Sequence, residues 1–234
     1  MDAQTKQTVA IFDLDSTITS RDTHVPFYLA YLKRRPLKWL NVLPVLLASA
    51  RYLAGNKDRK KLKQAFLTAF LGGVGIGEAK SFAADYARHW MDHHIYPGAL
   101  AQIAQHKAQG HPLILATASY SLYADPMAEI LGFDHVIGTE IELDGQNRIV
   151  GKLIGENCRG SEKCDRVLAY LSEKYPSVHK VFYSDDKADG PLLEAADEAF
   201  MINPDPKSRD YGVSKGFTIL DWRTVDQPQD AGSV

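Results

Sequence analysis

The sequence predicts an α/β fold, a doubly wound parallel sheet with a helical insertion after the first strand. Three observations carry that reading. Short apolar runs alternate with helical spans through the second half of the chain, the pattern of strands joined by crossover helices. The first apolar run, Val9-Ala10-Ile11-Phe12, stops at Asp13-Leu14-Asp15-Ser16-Thr17. Carboxylates at the end of a buried strand mark the rim where open α/β sheets bind ligands. A long stretch with helical spacing alone then separates this strand from the next.

Residues 9–13 read as strand one. Between residues 23 and 94 the apolar side chains Phe27, Tyr31, Leu32, Leu62, Phe66, Phe70, Phe82, Tyr86 and Trp90 recur largely at three- and four-residue spacings, which predicts an all-helical insertion. Pro97-Gly98 ends it, and residues 99–109 form a helix closed by Gly110. Residues 112–117 make the second buried strand, 126–131 a helix ended by Gly132, and 136–138 a short third strand. Alternation around Asp144-Gly145 within 139–153 signals a hairpin. A helix over 160–174, a strand over 180–183, a helix over 191–196 and a strand over 199–202 complete the pattern. The expected organisation is a core of residues 1–19 and 97–222, a helical cap of 20–96, and a mobile tail of 223–234 rich in Asp, Gln, Gly and Pro.

With 234 residues of ordinary globular composition, the chain has room for one α/β domain and a modest insertion. Cys158 and Cys164 have the wrong spacing for a zinc knuckle or a two-residue redox pair, and they suggest no disulfide framework, so a reducing cytoplasm fits best. The polar segment 1–8 lacks the features of a secretory signal and reads as a loose lead into the first strand. Charge is unevenly spread. Residues 33–63 hold ten basic side chains against the single acid Asp58, a net of +9 in a chain whose total is −2. Such a face suits an anionic partner; a nucleic-acid partner is not expected. The apolar stretch 39–50, interrupted by Asn41 and Pro44, is too short to span a bilayer. It reads either as a core helix of the insertion or as an interfacial helix on anionic lipid, with basic flanks.

Chemistry concentrates at strand ends. Asp13 and Asp15 are spaced so that one carboxylate attacks phosphorus and helps hold a divalent cation while the other moves a proton. A solvated acidic turn is the plainer alternative. Thr117, with Ser119 nearby, places a hydroxyl at the end of the second strand, where it is able to donate to a phosphoryl oxygen, although Ser and Thr there are also common helix caps. Lys163 falls in the first turn of a helix, against the helix dipole. A lysine there offsets the charge of a nucleophilic carboxylate and its phosphate, with surface solvation as the alternative. Tyr183-Ser184-Asp185-Asp186-Lys187-Ala188-Asp189 again crowds carboxylates at a strand end, where a hard cation, chiefly magnesium, relieves the repulsion. His89, His93 and His94 lack the intervening Glu of the metalloprotease arrangement and read as a solvated face.

In this order the segments resemble the four motifs of the haloacid dehalogenase superfamily: Asp13, Asp15 and Thr17, then Thr117, then Lys163, then Asp185 with Asp189. The resemblance implies a Rossmann-like core and a magnesium-dependent phosphomonoesterase working through an aspartyl-phosphate. Asp13 is then the nucleophile, Asp15 acid and base, and Thr117 and Lys163 hold the phosphoryl group. Asp13, the Asp15 carbonyl and Asp185 bind Mg2+, with Asp189 in support. A helical insertion between the first two motifs resembles the phosphoserine-phosphatase-like branch, subfamily IB. Tyr183-Ser184-Asp185, Asp189, Pro191-Leu192-Leu193, Asn203-Pro204-Asp205 and Arg34-Arg35-Pro36-Leu37 resemble the phosphatidylglycerophosphatase C-like group.

The chain also departs from phosphoserine phosphatases, which carry a Ser-Gly-Gly turn where this chain has Thr117-Ala118-Ser119. They also place a Glu for the substrate amine where it has Asp22. The expected substrate is therefore a phospholipid head-group phosphate, with peripheral contact at the inner membrane face. A small soluble phosphate such as phosphoserine is the alternative, and a non-catalytic membrane- or partner-binding protein is the reading from another class.

Overall fold

The computed structural model describes residues 6–55 and 58–224. In chain order the first strand β1 spans Gln7–Phe12 and the insertion follows as helices α1 (His24–Arg34), α2 (Val42–Leu53), α3 (Arg59–Phe66) and α4 (Ile76–Met91). Helix α5 (Pro97–Ala108) leads into β2 (Leu113–Tyr120), α6 (Ser121–Leu131) and β3 (His135–Thr139). A hairpin of β4 (Ile141–Leu143) and β5 (Ile149–Leu153) precedes α7 (Ser161–Lys174) and β6 (Val178–Ser184). The chain continues through α8 (Gly190–Ala195), β7 (Glu198–Ile202), α9 (Pro206–Lys215) and β8 (Thr218–Leu220).

Six of these strands form one parallel sheet in the order β3-β2-β1-β6-β7-β8. The chain winds outward from β1 to one side, then resumes on the other with β6, so the topological switch point lies between β1 and β6. Alternation along β1 serves both faces, as a strand's two-residue period requires. Ala10 and Phe12 enter the core shared with the insertion, whereas Val9 and Ile11 enter the core under α7 and α8.

The insertion is fused to the sheet layer through aromatic side chains. Phe27, fully buried, has its ring 4.6 Å from Tyr123 on α6, 5.3 Å from Phe82 and 5.2 Å from Tyr86. The β4-β5 hairpin also packs on the insertion, since its inward residues Ile149 and Leu153 need apolar cover. Gly73 N–H donates to the Ile149 carbonyl at 2.9 Å, and Thr68 Oγ1 donates to the Gly151 carbonyl at 3.1 Å. Gly151 has φ +92, and a Cβ there would lie 2.3 Å from Thr68 Oγ1, so this approach requires glycine.

Several expected boundaries change. Gln7 and Thr8, expected in the loose lead, pair with Val178 and His179 as part of β1. The second strand runs on past Thr117 to Tyr120 with an irregular register after Ala116. Helix α6 begins at Ser121 and carries Pro126 inside it; burial of Leu122, Tyr123, Ala124 and Met127 outweighs the one backbone bond that proline removes. Helix α9 and β8 were not expected, although Asp205 caps α9 from its side chain to Ser208 N–H and Pro206 stands at its first position. Residues 1–5 of the loose lead and 225–234 of the expected tail lie outside the described residues.

Candidate active site

Asp13 leaves β1 at the switch point, its own N–H bonded to the Tyr183 carbonyl of β6 at 2.9 Å. The chain then turns sharply, with Ser16 held at φ +61, an uncommon conformation for a residue with a Cβ that tends to mark functional turns. This turn brings Thr17 back under the strand end. Its buried hydroxyl lies 3.5 Å from Asp13 Oδ2 and 3.2 Å from Asp185 Oδ1, and it accepts the Asp185 N–H at 3.0 Å. One threonine thus ties the ends of β1 and β6 together.

Asp15, two residues on, is fixed from two sides. Thr23 N–H donates to Oδ1 at 2.7 Å and Ser119 Oγ donates to Oδ2 at 2.6 Å. Tyr123 OH in turn donates to Ser119 Oγ at 3.0 Å. Burial and the nearby Asp22 charge raise the Asp15 pKa, while its bonds to Ser119 and Thr23 pull it back. A raised carboxyl is the direction a general acid needs.

Lys163 supplies the counter-charge. Its side chain is 2% exposed, with Nζ 2.7 Å from Asp13 Oδ1 and 2.6 Å from Asp189 Oδ2. Burial disfavours its charge, yet Asp13 and Asp189 more than offset that and raise its pKa. Its unfavourable place in the first turn of α7 is therefore compensated by two carboxylates. Ser184 Oγ completes the support, donating to Asp189 Oδ2 at 2.8 Å.

The cluster fits a cation. Burial, then the charges of Asp13, Asp186 and Asp189, push the Asp185 carboxyl up to about 8. Asp189 Oδ1 is buried with no hydrogen-bond partner. Four carboxylates with one buried lysine are short of positive charge, and oxygen donors suit a hard divalent ion. Among the described residues no three Asp, Glu, His or Cys side chains form a ready metal group, so a cation here would be completed by other oxygen ligands, a backbone carbonyl or water, beside the carboxylates.

A cavity of about 380 Å³ opens over these residues, lined by Asp13, Asp15, Lys163, Asp185 and Asp189 and by Asp22 and Ser119. Seven of the eight site residues expected from the sequence thus face one space. Thr117 lies one layer below: it is fully buried and accepts the Ser119 N–H at 3.0 Å. Ser119 directs its proton to Asp15, a supporting position that strand-end spacing alone does not reveal.

Other cavity residues escaped the sequence reading. Lys63 on α3 donates to the Ala118 carbonyl and, at 2.7 Å, to Asn157 Oδ1, and burial lowers its pKa to about 8. His24 lines the same wall with both ring nitrogens buried and unpartnered; burial, with Lys63 nearby, lowers its pKa to about 3. Arg159, paired with Asp186, also lines the cavity. Lys63 stood in the sequence among ten basic residues that nothing local distinguishes. His93 Nδ1 bonds the His89 carbonyl at 2.8 Å, an ordinary helical contact outside the site.

The basic stretch is partly neutralised within the fold. Arg34 pairs with Asp85, Arg35 with Glu78, Lys60 with Glu156 and Lys61 with Asp58; Lys57 lies outside the described residues. The apolar stretch does not fold inward as a core helix. Only Val45 of α2 is buried, while Leu37 is 81% and Leu40 83% exposed and Leu43, Leu46 and Leu47 are exposed beside them. No helix among the described residues is long and apolar enough to cross a membrane.

Residues 10–194 match the profile of the haloacid dehalogenase-like hydrolases. Protein CicA of Caulobacter vibrioides is 32% identical over 193 residues, covering 80% of this chain and 82% of that protein. A histidinol-phosphatase of Neisseria meningitidis is 24% identical over 222 residues, covering 92% and 99% respectively. Among solved structures, a Bordetella pertussis protein of unknown function shares the fold at a TM-score of 0.79 and 24% identity, covering 93% of this chain and all of that one.

Proposed function

Because this chain belongs to the haloacid dehalogenase-like hydrolase family, we propose that it is a magnesium-dependent phosphomonoesterase acting through an aspartyl-phosphate on a phospholipid head-group phosphate. The observation that carries the reading is the pairing of Asp13 with Lys163 at 2.7 Å beside an Asp15 held by Thr23 and Ser119. Burial pushes the Asp13 carboxyl up to about 7 and the Lys163 ammonium pulls it back toward ionisation. Burial also raises the neighbouring Asp15 carboxyl, which pairs with no lysine among the described residues. The lysine contact thus separates the attacking carboxylate from the proton-moving one.

In the first step an Asp13 oxygen attacks phosphorus, and the leaving oxygen takes the proton of Asp15. In the second, Asp15 as carboxylate removes a proton from the water that attacks the phosphoryl group on Asp13. Lys163 stabilises the phosphoryl oxygens, while Thr117 beneath the cavity braces Ser119 by accepting its N–H. Asp13, Asp185 and the Asp15 carbonyl, with Asp189 in support, would hold Mg2+, which would supply charge neutralisation at the phosphoryl oxygens. The helical insertion, residues 20–96, acts as the cap that shields these steps from bulk water.

Support for a lipid substrate comes from the cap. Its exposed leucines lie beside Lys33, Lys38 and Arg51, a composition suited to the surface of an anionic membrane. The proposal keeps the chain with the phosphoserine-phosphatase-like branch and the phosphatidylglycerophosphatase C-like group, to which its motifs are similar. A phosphatase panel with magnesium, spanning lipid and soluble phosphomonoesters, tests it: preference for a soluble ester would overturn the lipid assignment. One observation favours that second reading, since Asp22 lines the cavity at the position where an amine-bearing substrate such as phosphoserine would find a carboxylate. A non-catalytic role sits poorly with four buried or half-buried carboxylates around one lysine, an arrangement costly to the fold.

A further inference from the structure

Beyond the polar wall of the catalytic cavity the cap contains a second, apolar space. Tyr52 and Leu62 line both, so the two spaces adjoin. The second space, about 360 Å³ between α2 and α3, is walled by Pro44, Leu47, Ala48 and Ala65. Pro44 and Ala65 also border a third hollow that leads on past Ala69 toward Gly151. The polar groups at the rim of the second space have partners of their own: Asp58 accepts Lys61 N–H and pairs with its ammonium. Apart from Arg51 at its edge, the space presents mainly carbon to whatever enters it, and it adjoins the catalytic cavity at Tyr52 and Leu62.

We propose that this α2–α3 groove is a subsite for the apolar tail of an amphiphilic phosphomonoester whose phosphate is bound at Asp13. The inference rests on the phosphomonoesterase reading and adds where the leaving group's hydrocarbon lies. Adjacency at Tyr52 and Leu62 points to the occupant: a chain leaving the phosphate toward the cap passes these two side chains to reach the groove. Apolar groups removed from water there would add binding energy remote from phosphorus. The small side chains Ala48 and Ala65, one on each helix, leave the width.

The test is a series of straight-chain alkyl phosphates, butyl to decyl, kept below their micelle concentrations, with p-nitrophenyl phosphate as reference and matching alkylphosphonates measured by calorimetry. In the wild type kcat/KM should rise about fourfold for each methylene that enters the groove, since burial of a CH2 is worth about 0.8 kcal/mol. Phosphonate Kd should fall in step. Ala48→Trp and Ala65→Trp each fill the groove from a different helix and should flatten the ratio of decyl to butyl within that variant. A flat series in both turnover and binding would overturn the groove, as would a steep series kept by both Trp variants. Turnover of p-nitrophenyl phosphate with a flat series sinks the groove alone. Length-dependent phosphonate binding without any turnover sinks the phosphatase reading and leaves the groove standing.

Discussion

Lys163 Nζ lies 2.7 Å from Asp13 Oδ1, although 150 positions separate the two residues. The pair joins the first turn of α7 to the end of β1, and it places a positive charge where an attacking carboxylate and an arriving phosphate dianion would otherwise repel. Asp189, 2.6 Å from the same nitrogen, makes the lysine a bridge between both sides of the switch point.

Asp13→Asn is expected to abolish turnover while leaving the fold intact. The amide nearly preserves the shape, keeps an oxygen for Lys163 and does not attack phosphorus. Phosphate release and circular dichroism check the two halves, and wild-type turnover in this variant would end the mechanism.

Asp15→Asn is expected to slow turnover by about 10²–10⁴, the usual worth of a positioned acid. The loss should be smallest for aryl phosphates, whose leaving groups need little protonation, and largest for alkyl phosphates. Equal losses would remove the acid role. The amide keeps one accepting oxygen, but its NH2 does not accept, so one of the bonds from Thr23 N–H and Ser119 Oγ is lost in its present form and a modest loss of stability, about 1–2 kcal/mol, should accompany it.

Lys163→Met leaves Asp13 and Asp189 buried without their cation. Removing one partner of a buried ion pair costs about 3–5 kcal/mol, so the midpoint of urea unfolding should fall at neutral pH. Part of the loss should return at lower pH, because burial holds the Asp13 pKa above its ordinary value and protonation there removes the unpaired charge. An unchanged midpoint would mean that the lysine is not the counter-charge of the cluster.

Chelation is expected to stop the reaction and magnesium to restore it, since the crowded carboxylates and a phosphate dianion need a cation in common. Asp185→Ala should raise the magnesium concentration needed for half-maximal rate, whereas replacing His93 and His94 should leave it unchanged. Full activity after exhaustive chelation would rule the metal out.

The doubly wound parallel class was legible because apolar runs alternating with helices, and carboxylates at strand ends, are local signals; the strand order was not. Most of the expected site residues, Asp22 apart, stand near a strand end or in a first helical turn, and it was the order of the four motifs that joined them into one expected site. The supporting role of Ser119 and the presence of Lys63 were harder to read. Their surroundings are set by distant partners, Asp15 104 positions from Ser119 and Ala118 55 positions from Lys63, which no local pattern records. The fate of the leucines on α2 was equally hidden: helical spacing predicts a face, and tertiary packing decides what covers it. Only Val45 found cover.

Those leucines set the last expectation. Arg34, Arg35, Lys60 and Lys61 are engaged with acidic side chains, and exposed pairs of this kind contribute at most about 1 kcal/mol each. Membrane attraction should therefore come chiefly from the apolar surface of Leu37, Leu40, Leu43 and Leu47, with a smaller part from charge near Arg51 and Lys38. In co-sedimentation with vesicles containing anionic lipid, the wild type should bind, and Trp39 emission should shift to the blue as its half-exposed ring leaves water. Raised salt should weaken binding only in part, because screening acts on charge and not on burial. Leu40→Ser with Leu43→Ser should abolish binding, yet leave hydrolysis of a soluble aryl phosphate, since neither residue lines the catalytic cavity. Absence of binding at low salt, together with fast turnover of soluble esters, would remove the membrane from the account and leave the metabolite reading in its place.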